Sequence, residues 1–323
     1  MPLLSANTSG NRPVGMQQSY GYIPVDYLNC EIVGYDPAYF LESKNLVFTP
    51  VLTEGCIIKK YYAINKGMKI SISVPSNRTT ISGSIHKFWN EGKHNHNDFD
   101  EYAFLSALNN LCEWLGIMPE NMAIKSLEYG VNIKFEYPVA KVLNHCLQHK
   151  KVDIEQGISN DKGKYHKAKH SQFILKLYDK AKQYKLRDEN LMRIENKQTN
   201  WSPYRKLGIV TMKDFIQWDK LELVENLIEQ WESVVFFDFT SAAYKNSEKY
   251  SNQNWWRELR DTKSRTAFKR HFDKLRQMNK QKGMDIQGKI SELIISKLNE
   301  LQGVTNFNLH QLQNESRIIM LRS

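Results

Sequence analysis

Cysteine is scarce in this sequence. Four occur in 323 residues, Cys30, Cys56, Cys112 and Cys146, and none belongs to a CxxC pair. The spacing argues against a zinc ribbon, and the count is too low for the disulfide framework of a small secreted domain. Reduced, mostly buried thiols are expected instead. No apolar run approaches the ~20 residues that cross a bilayer, so no membrane partner is expected. The opening stretch MPLLSANTSGNRPVGMQQSYGY lacks a charged start followed by an apolar block. No signal peptide is expected, and its Ser, Asn, Gly and Gln content predicts a flexible arm over 1–25. Acid is also short: 35 Asp and Glu stand against 45 Lys and Arg, a net charge of +10. The pI of about 9.2 favours a polyanionic partner, with nucleic acid ahead of an acidic membrane surface.

What the chain does contain is a run of strand-like segments. Residues 56–65 and 68–75 read as a hairpin joined at Lys66-Gly67, with Ile70, Ile72 and Val74 alternating with polar neighbours. Residues 79–89 read as a third strand and 90–98, NEGKHNHND, as a polar loop. Residues 100–115 carry Phe104, Leu105, Leu108, Leu111, Cys112 and Leu115 at helical spacing, with Gly116 as the cap. A long strand over 122–137, a short helix over 138–148, a basic loop over 149–170 and strands at 172–180 and 191–198 follow. The order predicts an α+β fold, a mainly antiparallel sheet of five or more strands with helices packed on one face. From Ser202 the pattern turns helical. The predicted division is an α+β domain over 26–200, a helical extension over 201–245 and a basic helical C-terminal region over 246–323. Two segments, IHKFWNEGK (85–93) and ILKLYDKAK (174–182), share one pattern and suggest two related halves.

Strand side chains alternate between faces. Lys176, Tyr178 and Lys180 then share one face of 172–180. Arg193, Glu195 and Lys197 share a face of 191–198, and Glu128, Gly130, Asn132 and Lys134 a face of the strand before. If these strands pair, a tyrosine, two carboxylates and several lysines converge. That set fits phosphodiester cleavage by a tyrosine. A phenol titrates near ~10 and needs nearby positive charge to ionise at neutral pH, which Lys176 and Lys180 are placed to supply. A divalent metal on Glu128 and Glu195 would neutralise the scissile phosphate, and oxygen ligands suit Mg²⁺ or Mn²⁺. The plainer alternative is an ordinary strand aromatic between solvated lysines.

The segment FILKLYDKAKQY with NLMRIENK after it resembles the tyrosine motif of rolling-circle replication initiators of filamentous phages and small plasmids. The upstream SGSIHKFWNEGKHNHNDF is similar to the phage-type segment that leads through a lysine to a Gly-His-Asn loop. The resemblance covers roughly 56–240. It implies a DNA nickase that forms a 5′-phosphotyrosine link through Tyr178, working in the cytoplasm of a bacterial host on single-stranded DNA or an origin hairpin. It further implies Glu195 as a metal-binding or base carboxylate, Lys180 as a phosphate contact, and Glu128 as the acidic residue of an earlier strand. A host helicase or polymerase and a second copy of the chain are further partners it suggests. In the wider superfamily a His-hydrophobic-His pair holds the metal. The nearest pair here, His94-Asn95-His96, has a polar centre and reads as a loop, so His94 and His96 are metal candidates that also read as solvated turn residues.

Residues 141–187 contain twelve Lys or Arg and four acids, and 255–282 ten against three, the latter interleaved with Trp255, Trp256, Phe268 and Phe272. One-signed charge of this kind suits a phosphate backbone without reading sequence. Lys87, Lys164, Lys167, Lys169, Arg193, Arg257, Arg260, Arg265, Lys269 and Arg270 are the DNA-contact candidates. A non-catalytic DNA-binding protein of the same fold is the rival reading.

Overall fold

The structure, a computed structural model, describes residues 20–52, 54–159, 163–187, 189–241 and 247–302. Most of the expected arm, 1–19, lies outside the described residues. Its last part is not an arm, because Tyr20, Tyr22, Ile23 and Val25 are buried. Main-chain pairing holds this segment, with Lys220 N donating to Tyr20 O at 2.7 Å.

Thirteen strands are described: β1 Val25–Ile32, β2 Thr49–Leu52, β3 Ile58–Asn65, β4 Met68–Ser73, β5 Arg78–Ser84, β6 Met122–Lys134, β7 Cys146–His149, β8 Val152–Asp153, β9 Glu155–Ser159, β10 Gly163–Lys169, β11 Phe173–Asp179, β12 Leu191–Gln198 and β13 Val234–Phe236. Ten of them form one sheet in the order β2-β3-β4-β5-β1-β6-β12-β11-β10-β9, and β13-β7-β8 form a small second one. All the strand pairings are antiparallel. The fold is α+β, a large antiparallel sheet followed by a helical C-terminal region.

The β3–β4 turn is the expected Lys66-Gly67, with φ of 48° and 86°, the left-handed pair that a two-residue hairpin demands. Helix Glu101–Leu115 starts where Asp100 accepts from Ala103 N and ends at Gly116, φ 66°. Other segments differ from expectation. The third strand stops at Ser84, whose hydroxyl accepts from Lys87 N and starts the helix Ile85–Trp89. The repeated pattern therefore sets a helix against strand β11 rather than two equivalent strands. Among its described residues the basic stretch 149–170 is mostly strand rather than loop. His166 and Ala168 are buried between outward-facing Tyr165, Lys167 and Lys169, so the segment alternates as a strand and pairs as β9–β10. The 138–148 helix spans only Val139–Asn144 before β7 begins.

Two hydrophobic cores organise the described residues. The larger joins the sheet's apolar residues, such as Leu127, Val131, Leu175 and Ile194, to helices Glu101–Leu115, Leu221–Glu232 and Ile286–Leu301. The smaller gathers Val235, Phe237, Tyr250, Trp256, Leu259, Phe268, Leu275 and Met278. Helix Ile286–Leu301 packs in the larger core, near β6. Among the described residues no helix is long and apolar enough to cross a membrane.

Candidate functional site

Strands β6, β12 and β11 lie side by side, and their register sets which side chains meet. Glu195 is opposite Lys176 on β11 and Gly130 on β6. Lys197 is opposite Glu128, and Arg193 lies between Tyr178 and Asn132. Period-two alternation turns all of these to one face. Gly130 makes the close approach possible: a Cβ there would lie 2.1 Å from Ile194 O and 2.6 Å from Glu195 Cα. Next to β6, a bulge in β1 between Val25 and Tyr27 brings Asp26 to the same cluster; bulges commonly re-aim a side chain in this way.

The contacts are dense. Tyr178 OH donates to Glu195 Oε2 at 3.1 Å, and Lys180 Nζ donates to Tyr178 OH at 3.4 Å. Lys176 Nζ donates to Glu128 Oε2 at 2.8 Å and to Glu195 Oε1 at 2.9 Å. Lys197 Nζ donates to Glu128 Oε1 at 2.6 Å, and Arg193 Nε to Glu195 Oε2 at 3.3 Å. Arg193 also lies 3.6 Å from Asp26. Asn95 Nδ2 donates to Asp26 Oδ2 at 2.6 Å, while its Oδ1 accepts from Lys180 and from Tyr184 OH at 2.8 and 2.6 Å. Loop 90–98 thus folds over the sheet and is pinned there, with Asn132 Nδ2 donating to His96 O.

Burial and charge set the protonation states. Burial pushes the Tyr178 phenol well above its ordinary value, and the Glu195 carboxylate pushes the same way, against Arg193. This reverses the expectation that Lys176 and Lys180 would lower it. Lys176 is turned into the carboxylates. Burial would raise Glu195, but Lys176 and Arg193 outweigh it and hold this carboxyl far below the carboxylate range. Glu128 is raised by burial and by Glu195. Lys180, fully buried, is pulled down to about 8 by desolvation. The resting arrangement is a neutral phenol donating to an ionised carboxylate.

The structure brings Tyr178, Lys176, Lys180, Glu128 and Glu195 together and leaves two candidates outside. His94 and His96 stack on each other at 4.2 Å, and the His96 ring lies tilted against Tyr184 at 5.0 Å. Among the described residues no group of three or more His, Cys, Asp or Glu is placed to hold a metal. Glu128 and Glu195 fit a divalent ion poorly, because each of their four oxygens already accepts from Lys176, Lys197, Arg193 or Tyr178.

The basic candidates separate by position. Arg193 is 2% exposed, so it is an internal counter-ion rather than a surface contact. Lys87 is half-buried in Ile85–Trp89, near enough to depress Lys180. Lys167 and Lys169 lie on β10, on the Tyr178 face; Lys164 is on the same strand, its side chain outside the described part. Arg257 and Arg260 are tied to Asp153 at 3.2 and 3.1 Å. Arg265, Lys269 and Arg270 are exposed on helix Arg265–Lys282.

Three lysine–tyrosine pairs also mark the polar face: Lys69 over Tyr62 at 4.5 Å, Lys197 over Tyr27 at 4.9 Å and Lys167 over Tyr165 at 5.7 Å. Sequence reasoning missed Asp26, Asn95 and Tyr184, and placed Lys197 on the right face without giving it a role. For Asp26 the signal was the alternation of Leu28, Cys30 and Ile32, which marks β1. For Asn95 no local signal exists.

No family model matches the chain, and no curated protein matches it. Among solved structures, it is similar to "Structure of Rolling Circle Replication Initiator Protein from Geobacillus stearothermophilus" at 14% identity, covering 70% of this chain and 89% of that one, with a TM-score of 0.40. An overlay that loose carries no weight on activity.

Proposed function

We propose that this protein nicks single-stranded DNA through Tyr178 and thereby starts rolling-circle replication of a phage or plasmid-like element in a bacterial cytoplasm. The observation that carries this reading is the Tyr178 hydroxyl, held between the Glu195 carboxylate and the Lys180 ammonium at 3.1 and 3.4 Å. Four cations, Lys176, Lys180, Arg193 and Lys197, surround three carboxylates, Asp26, Glu128 and Glu195. The surplus suits one phosphodiester.

In this reading the O–H bond of Tyr178 breaks as its oxygen bonds to phosphorus, and the proton passes to the neutral fraction of Lys180, whose pKa is lowered to about 8 and whose Nζ lies 3.4 Å away. The P–O3′ bond breaks, and the 3′ oxygen takes a proton from solvent to become a free hydroxyl for a polymerase. Lys180 and Arg193 stabilise the charge that moves from phenol to phosphate. The phosphotyrosyl ester keeps the energy for rejoining. The Tyr–Lys pairs on the sheet's polar face offer stacking and charge to successive nucleotides. Replication factors of the host and a second copy of the chain are the partners that follow.

The test is a labelled origin oligonucleotide incubated with wild type and with Tyr178→Phe. The reading expects a covalent protein–DNA adduct from wild type and none from Tyr178→Phe, with at least ~10³-fold slower nicking. Equal cutting by the two rejects Tyr178 as nucleophile. The elevated phenol pKa favours a second reading, a DNA-binding protein without catalysis. A DNA shift with no nicking under any condition would select it.

A further inference from the structure

Glu128 and Glu195 are the carboxylates on which a divalent ion would be expected, and an ammonium of this chain already bridges them. We infer that Lys176 is the cation of this site, so that the site takes up no Mg²⁺ or Mn²⁺ and Tyr178 acts without either. The catalytic half of this inference rests on the nickase reading; the metal-binding half does not.

The geometry is specific. Lys176 Nζ lies 2.8 Å from Glu128 Oε2 and 2.9 Å from Glu195 Oε1, which joins carboxylates from two different strands. It is held there by register, since Lys176 and Glu195 are directly opposite on β11 and β12. The remaining oxygens are engaged too: Glu128 Oε1 accepts from Lys197, and Glu195 Oε2 from Tyr178 and Arg193. A hard divalent ion seeks oxygens free to coordinate it and an excess of negative charge. Here it would have to expel Lys176 and then sit beside Lys197 and Arg193.

The ammonium can do the metal's electrostatic work. It carries three donors, two of them spent on the carboxylates, and its side chain is 29% exposed. The third donor is available to a phosphate oxygen that reaches the exposed part of this side chain. Glu195 couples the two jobs, with Oε1 holding the cation and Oε2 holding the Tyr178 proton.

Two measurements on the full-length protein test the inference. The first is Mn²⁺ titration followed by electron paramagnetic resonance. Wild type is expected to leave Mn²⁺ free, and Lys176→Ala, which uncovers both carboxylates, to take up one ion. Stoichiometric Mn²⁺ binding by wild type that disappears in Glu128→Gln overturns the inference, whether or not the lysine variant folds. The second is nicking in EDTA against nicking in Mg²⁺. Equal wild-type rates support it, together with a loss of ~10²-fold or more in Lys176→Gln in EDTA. Wild-type nicking in Mg²⁺ that EDTA abolishes overturns it while leaving the nickase reading standing. Should wild type nick under neither condition, the nickase reading fails and the Mn²⁺ titration alone decides the metal question.

Discussion

The Tyr178 hydroxyl donates to Glu195 Oε2 across 3.1 Å, a diagonal pair on adjacent antiparallel strands. Phenol and carboxylate therefore share one hydrogen bond. The acid is ionised because Lys176 and Arg193 outweigh its burial. The salt-bridge cluster thus keeps an ionised hydrogen-bond acceptor next to the hydroxyl.

Lys180 should leave a signature in stability against pH. Its side chain is fully buried and its pKa falls from 10.5 to about 8 on folding. Below pH 8 both states carry the proton. Between pH 8 and 10.5 only the unfolded chain does, so stability rises with pH across that window. The full effect is about 3 kcal/mol. Urea unfolding of wild type minus Lys180→Met, measured at pH 7, 9 and 10, should show that rise; a flat difference contradicts it.

Arg193 is nearly inaccessible and serves both Glu195 and Asp26, at 3.3 and 3.6 Å. Arg193→Met leaves two buried carboxylates short of a partner and should cost about 3–5 kcal/mol. Part of that loss should return on lowering the pH, because the orphaned acids can take up protons. Urea melts at pH 7 and pH 5 report both effects.

Gly130 opposes Glu195 with no room for a methyl group. Gly130→Ala should destabilise by about 1–3 kcal/mol through overpacking. A shift of Glu195 by ~1 Å should slow nicking about 10²-fold. Comparing thermal melts with nicking rates separates the two, since DNA binding should be unchanged.

Helix Arg265–Lys282 offers exposed Arg265, Lys269 and Arg270. Replacing all three by Ala should weaken duplex binding without changing sequence preference. The slope of log K against log salt should shrink by about 3. Fluorescence anisotropy at several salt concentrations measures it; an unchanged slope removes this helix from the DNA surface.

Much of the site was legible from local pattern. The alternation in 172–180, 191–198 and 122–137 put Tyr178 with Lys176, Glu195 and Glu128 each on the polar face of its own strand, and the pairing of the strands brings those faces together. The same rule failed at 149–170, where basic composition hid a strand whose inward residues are His166 and Ala168. It also failed at 85–89, where a single capping hydroxyl on Ser84 turned a strand into a helix.

Side-chain alternation is a property of the chain itself, with a period of two residues, and so the amino-acid order alone settled which groups share a face. It could not settle which faces meet. That β1 inserts between β5 and β6 and carries Asp26 into the cluster depends on pairing across tens of residues. So does the fold-back of Asn95 onto Lys180 and Tyr184. The direction of Lys176 was likewise a tertiary outcome: a lysine beside a tyrosine can lower the phenol's pKa or neutralise acids, and only the neighbouring strand, with Glu195 directly opposite, chose the second.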